Sequence, residues 1–329
     1  MLKEFIKERL VKAFIVGAII GMAGIGINLF PAGTALEENF GLDLLFTMRG
    51  TRVPPEDVVI VSIDKESADR LDLPEDPRKW PRFLHAKLID VITAAGAAVI
   101  VFDVNFSEPR SSQEDNKLAD AMRRSGNTVL CEFMQIENVP IDNKTGSTYG
   151  EMNIAKVVPP IPSLARAAFA RAPFPLPKIS NKVSQYWTFM TSAGDKPTLP
   201  VVSFQIFVMQ YHVDFIRLMD RVNAYHAEKL RQSHKDFVKN RGIEKVIRDI
   251  RHIFQGDPHI GAEMVKELES SRIPFDNKTK HAVLHSLITL YKGNSHSQYL
   301  NFYGPARTIT TLPYYMVLQH GLPPGIPCR

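Results

Sequence analysis

Two carboxylates stand at the ends of two apolar runs. Asp64 closes VVIVSID (58–64), and Asp103 sits near the end of AAVIVFDV (97–104), with Asn105 two residues further on. In open parallel sheets, ligands bind in the crevice beyond the carboxyl ends of the strands. If the two runs are neighbouring strands, Asp64, Asp103 and Asn105 face one ligand-binding crevice. Oxygen ligands of this kind suit a hard divalent cation such as Mg²⁺ or Ca²⁺. Asp-x-Asn after an apolar strand also has a faint likeness to the Asp-x-Asp strand end of phosphate-transferring hydrolases. The plainer alternative is that both acids cap turns or helices, a common use of Asp.

Other catalytic patterns fail on their spacing. His281 and His285 are four apart, but AVL between them lacks the Glu of the H-E-x-x-H zinc motif. The chain has no G-x-S-x-G, P-loop or C-x-x-C. Gly17, Gly21, Gly24 and Gly26 are not a dinucleotide loop, which needs a strand before it. Asn143 and Asn277 begin glycosylation sequons, which matter only in a eukaryotic secretory pathway. Of the two cysteines, Cys131 lies in an apolar run, as a buried structural thiol would, and Cys328 is next to last.

The elements that would position these residues can be read from periodicity. After a short helix within 41–52, 58–64 reads as a fully buried strand, five of its seven residues being Val or Ile. A helix over 83–95, a strand over 97–104, a helix over about 116–124 and a strand over 127–134 come next. That alternation predicts an α/β fold: a parallel-stranded sheet core flanked by helices. Residues 135–200 read as loop and edge, with one short helix over 162–171. From 201 to 292 the period is helical, and about 214–292 reads as a helical insertion; 298–305 returns to strand character.

The composition is that of a globular protein: 329 residues, 44% hydrophobic, 23% charged, net charge +5. Its mean hydropathy of −0.11 conceals one segment. Residues 13–36 contain no Asp, Glu, Lys or Arg, and 13–30 are long enough to span a bilayer of roughly 30 Å as one N-terminal transmembrane helix. A cleaved signal peptide is the competing account, with a small-residue stretch at 32–35. The anchor is preferred because the run exceeds a signal h-region and because Gly17 and Gly21 form a helix-pairing G-x-x-x-G, suited to a homodimer. Lys3, Lys7, Arg9 and Lys12 precede the span, while Arg49 is the sole Lys or Arg in the twenty residues after it. This bias places residues 1–12 in the cytoplasm as a leader, and the chain beyond the span on the outer side of the plasma (inner) membrane. Between Arg217 and Arg251, ten Lys or Arg interleave with five Asp or Glu. Interleaving marks a solvated helical face rather than a nucleic-acid surface, so no nucleic-acid partner is expected.

Taken in order, the short Asp43…Arg49 segment, VVIVSIDKES with Asp64 and Ser67, Trp80-Pro81-Arg82 with His85-Ala86, VIVFDVNFSEP, and Asn301-Phe302-Tyr303-Gly304-Pro305 form a set. With the membrane helix, this set resembles the type-two CHASE domain, over roughly residues 36–318. The resemblance implies an extracytoplasmic sensor module of bacterial membrane receptors occupying 36–329, with an unknown small-molecule or protein signal. It also implies an output domain beyond this chain, most often an adenylate or guanylate cyclase, elsewhere a histidine or serine/threonine kinase. The helical block is longer than the family's usual linker, and the family continues past the last motif, so the C-terminal part of the domain is expected to be missing here. A membrane-anchored, metal-dependent phosphoester hydrolase using Asp64 and Asp103, and an inert truncated remnant, are the contrasting expectations.

Overall fold

The computed structural model describes residues 2–28, 40–142, 148–176, 183–240, 242–270, 278–294 and 296–323. The sequon asparagines Asn143 and Asn277, Cys328, and residues 29 and 30 of the expected span lie outside the described residues. The chain divides into two units. One comprises Met1–Pro54, Pro177–Ser184 and Tyr299–Thr308; the other comprises Pro55–Leu176, Gln185–Gln298 and Ile309–Arg329.

In the first unit, helix α1 (Leu2–Asn28) joins the basic leader to the apolar run without a break. Its apolar part covers Val11–Gly26, and Phe14, Ile15, Ile19, Ile20 and Met22 are all exposed. Gly17 and Gly21 share one face, with nothing within 4 Å of a Cβ built on either. Helix α2 (Leu42–Arg49) buries none of its residues. It stops at Gly50, whose φ of 74° is left-handed backbone that glycine adopts without strain.

The second unit mixes helices with small sheets. Strand β1 (Ile60–Ser62) leads into α3 (Lys65–Leu71), and α4 (Arg82–Ala94) into β2 (Ile100–Phe102). Helix α5 (Ser112–Ser125) precedes the long hairpin of β3 (Thr128–Asp142) and β4 (Thr148–Val158), followed by α6 (Pro162–Ala167) and β5 (Ala170–Pro173). Short strands β6 (Gln185–Trp187), β7 (Phe189–Met190) and β8 (Lys196–Pro197) come next. The helical block is α7 (Leu199–Val208), α8 (His212–Val222), α9 (Ala224–Asn240), α10 (Ile243–Gly256), α11 (Ile260–Ser270) and α12 (Lys278–Tyr291). Strand β9 (Ser297–Tyr299), strand β10 (Thr311–Pro313) and helix α13 (Tyr314–His320) close the described chain.

The expected parallel core is corrected in two respects. Strands β2, β3 and β5 do pair in parallel, but β4 joins β3 antiparallel, and the remaining strands form separate two-stranded ladders. Moreover, β1 does not pair with β2. It pairs in parallel with β10, Val61 opposite Leu312. Paired on one side within a two-stranded ladder, β1 is only part-buried, with Ile60 44% exposed, so the expectation of a fully buried strand is also corrected. Residues 162–171, read as one helix, split into α6 and β5, and of 298–305 only the first residues are strand.

Alternation along the central strands divides the interior into two cores. Ile100, Phe102 and Leu130 face one core with α4, α5, α6 and α13, whereas Val129, Ala170 and Ala172 face the helical block. There Ile243, Val246, Ile247, Ile250 and Phe254 of α10 form the buried stripe that periodicity indicates. The run Leu199–Val222 is apolar enough to cross a membrane by length and composition. Yet Val202, Val208, Phe215 and Leu218 within it are fully buried in this core, which makes it an interior element. The charges of the block pair among themselves, as Arg231 does with Asp220 and Glu228, and Lys245 with Asp236 and Asp249.

Candidate functional site

Asp64 precedes α3 in extended conformation, and its carboxylate accepts the Ser67 amide at 2.9 Å and the Ser62 hydroxyl at 2.5 Å. This is an N-cap, which satisfies an amide that the helix leaves open. Asp103 continues β2 on the face of exposed Val101, opposite buried Phe102. It lies beside the Cys131 thiol of β3. Burial, with the Asp103 carboxylate, pushes that thiol up to about 12, so half-buried Cys131 stays protonated and inert. The Asn105 side-chain oxygen accepts the Ser107 amide at 2.9 Å, which closes a turn. Because β1 pairs with β10 and β2 with β3, Asp64 and Asp103 do not end adjacent strands. Among the described residues, no three His, Cys, Asp or Glu gather in a way that could hold a metal ion.

The motif residues converge elsewhere. In the second unit, α4 presents His85 to Tyr314, whose hydroxyl lies 2.9 Å from Nδ1. Phe102, Phe106 and Tyr314 each stand edge-on to the imidazole, with centroids 5.7 to 5.9 Å away. His85 is 2% exposed, and burial, with Arg82 second, pushes it down to about 4, so the ring is neutral at pH 7. Trp80 stands edge-on to Tyr314 and donates its indole N–H to the Pro74 carbonyl at 2.7 Å. Arg82, almost fully buried, pairs with Asp115 and donates to the Glu108 carbonyl. Ser67 accepts the Tyr315 amide at 3.2 Å. Three stretches distant in sequence are thus locked by bonds within one buried cluster. Nothing in it offers an accessible nucleophile or acid.

The first unit holds a second convergence. Arg49, last residue of α2, donates to the Asn301 side chain and to the Phe302 carbonyl, and its guanidinium lies 4.8 Å from the Phe46 centroid. Phe46 meets Phe302 edge-on at 5.6 Å, and the Arg52 amide donates to the Tyr303 carbonyl at 2.7 Å. A Cβ on Gly304 would sit 2.6 Å from Thr308 Oγ1 and 2.9 Å from Thr51 Cγ2, so only glycine fits this approach without displacement. The late motif therefore clasps the helix that comes after the N-terminal apolar segment. Sequence reasoning singled out Arg49 and Asn301 but assigned neither a role in the fold; a guanidinium donor and an amide-oxygen acceptor were the signal.

These features define a mixed helix-and-sheet domain carried behind an apolar helix, tied by its early and late motifs. The chain belongs to the CHASE2 domain family, whose model matches residues 15–328, reaching further towards the N-terminus than the motifs alone. CHASE2 is an extracytoplasmic sensor domain of membrane receptors. Compared with curated proteins and with solved structures, the chain matches none.

Proposed function

We propose that this chain is the signal-sensing part of a receptor whose output is an adenylate or guanylate cyclase. Residues 13–30 anchor it in the plasma membrane, 1–12 lie in the cytoplasm, and 36–329 form the sensor on the outer side. The exposed apolar face of α1 and the open Gly17/Gly21 face suit an anchor that pairs two protomers. The observation that carries the relay is the Arg49–Asn301–Phe302 clasp: a change in the late motif reaches, through two hydrogen bonds, the helix adjoining the anchor. A signal acts through it only by binding one arrangement better than the other.

Cyclic nucleotide production by the intact receptor tests this. Arg49→Gln, an exposed substitution, is expected to change basal output several-fold. Absence of any cyclic nucleotide would exclude a cyclase in favour of a kinase output, and output indifferent to Arg49→Gln would exclude the clasp as relay.

A further inference from the structure

A cavity of about 460 Å³ opens in the second unit between α7, α12 and the β6–β9 ladder. Its size falls within the range of small-molecule sites. Pro200, Val201, Phe204 and Leu290 form its apolar wall. Its polar groups come from β6, β9 and the same helix α12. Tyr186 donates its hydroxyl to the Gln298 side-chain oxygen Oε1 at 3.0 Å and keeps an acceptor lone pair. Thr289 donates to the His285 carbonyl and likewise keeps lone pairs, while the Ser286 hydroxyl and the second amide hydrogen of Gln298 supply donors. Among the described residues no Asp, Glu, Lys or Arg lines the cavity, and its one basic side chain is the His285 imidazole. A charged ligand finds no carboxylate, ammonium or guanidinium partner among these residues, whereas a neutral one with a hydroxyl or carbonyl end finds both donors and acceptors.

We infer that this cavity binds a small uncharged molecule with an apolar body and a hydroxyl or carbonyl end, and that such a molecule is the signal. The inference rests on the sensor reading and deepens it. Gln298 lies in β9, three residues along the chain from Asn301 of the clasp, so a ligand that holds the Tyr186–Gln298 pair acts on the strand leading into the relay.

The chain contains two tryptophans, Trp80 and Trp187. Trp187 adjoins Tyr186 in β6, and Trp80 belongs to the other core, where it serves as an internal control. The full chain, labelled with 5-fluorotryptophan and held in lipid nanodiscs, is titrated with cyclohexylmethanol, cyclohexanecarboxylate and cyclohexylmethylammonium, with ¹⁹F NMR as the readout. The neutral alcohol is expected to shift Trp187 saturably at millimolar concentration and leave Trp80 unmoved, with both ions at least tenfold weaker. Ser286→Trp, at an exposed position, is expected to fill the cavity and abolish the shift. Tyr186→Phe, which removes only a hydroxyl, weakens the alcohol several-fold and provides the test if Ser286→Trp does not fold, as an altered Trp80 resonance would reveal. Equal binding of the ions, no saturable shift with the alcohol, or a shift indifferent to both variants would overturn the assignment. Binding is read directly and not through receptor output, so its failure leaves the sensor reading standing, and failure of that reading leaves a measured binding site.

Discussion

His85 and His212 are two imidazoles that the fold keeps neutral. Each is pushed down to about 4, chiefly by burial, helped by Arg82 at His85 and by His234 at His212. Neither ring nitrogen of His212 has a hydrogen-bond partner among the described residues. In the unfolded chain both titrate near 6.5. Above that value both states are neutral and stability is at its full level. As pH falls from 6.5 towards 4, the unfolded chain binds protons that the fold refuses, and each histidine costs about 1.4 kcal/mol per pH unit. Urea unfolding of the full chain at pH 7 and pH 5 should show this loss, and His85→Gln should reduce it. The Arg82–Asp115 pair makes a second test. Arg82→Met alone strands a buried carboxylate and should cost about 3–5 kcal/mol, most of which Arg82→Met with Asp115→Leu recovers. At this scale the sequence was partly legible. Asp64 stands where a strand ends and Ser67 comes three residues later, so the cap that Asp64 makes on α3 was visible. His212 was not visible, because its burial arises from α8 packing on α9, which no local pattern records.

At the scale of elements, the clasp turns a loop into a constraint. Gly304→Ala forces Thr308 or Thr51 aside and is expected to loosen the Arg52–Tyr303 hydrogen bond, costing about 1–3 kcal/mol of local stability. Hydrogen exchange at the Arg52 amide checks this; unchanged protection would mean the close approach is not needed. Helix periodicity placed α4 and α5 within a few residues, because an apolar stripe is written locally. Strand pairing is not. The partner of β1 is β10, about 250 residues away, and the single crossover from β1 to β2 made the wrong neighbour look natural. The β5 strand was missed for a related reason: ARAP has no β-branched or aromatic residue, and it becomes a strand because β3 offers it a parallel edge.

For the whole molecule, the proposed anchor is a helix with small residues on one face. Self-association through α1 should fall about tenfold when Gly17 and Gly21 are both replaced by Ile, as read by a transmembrane association reporter, since close helix approach needs small residues. Whether an anchored sensor faces outward is decided by alkaline phosphatase fused after Arg52 and expressed in a bacterial host. The account predicts phosphatase activity on the outer side of the membrane, retained with the membrane fraction through residues 13–30. An inactive fusion held in the cytoplasm, or active enzyme released as a soluble product, would contradict an anchored sensor facing outward.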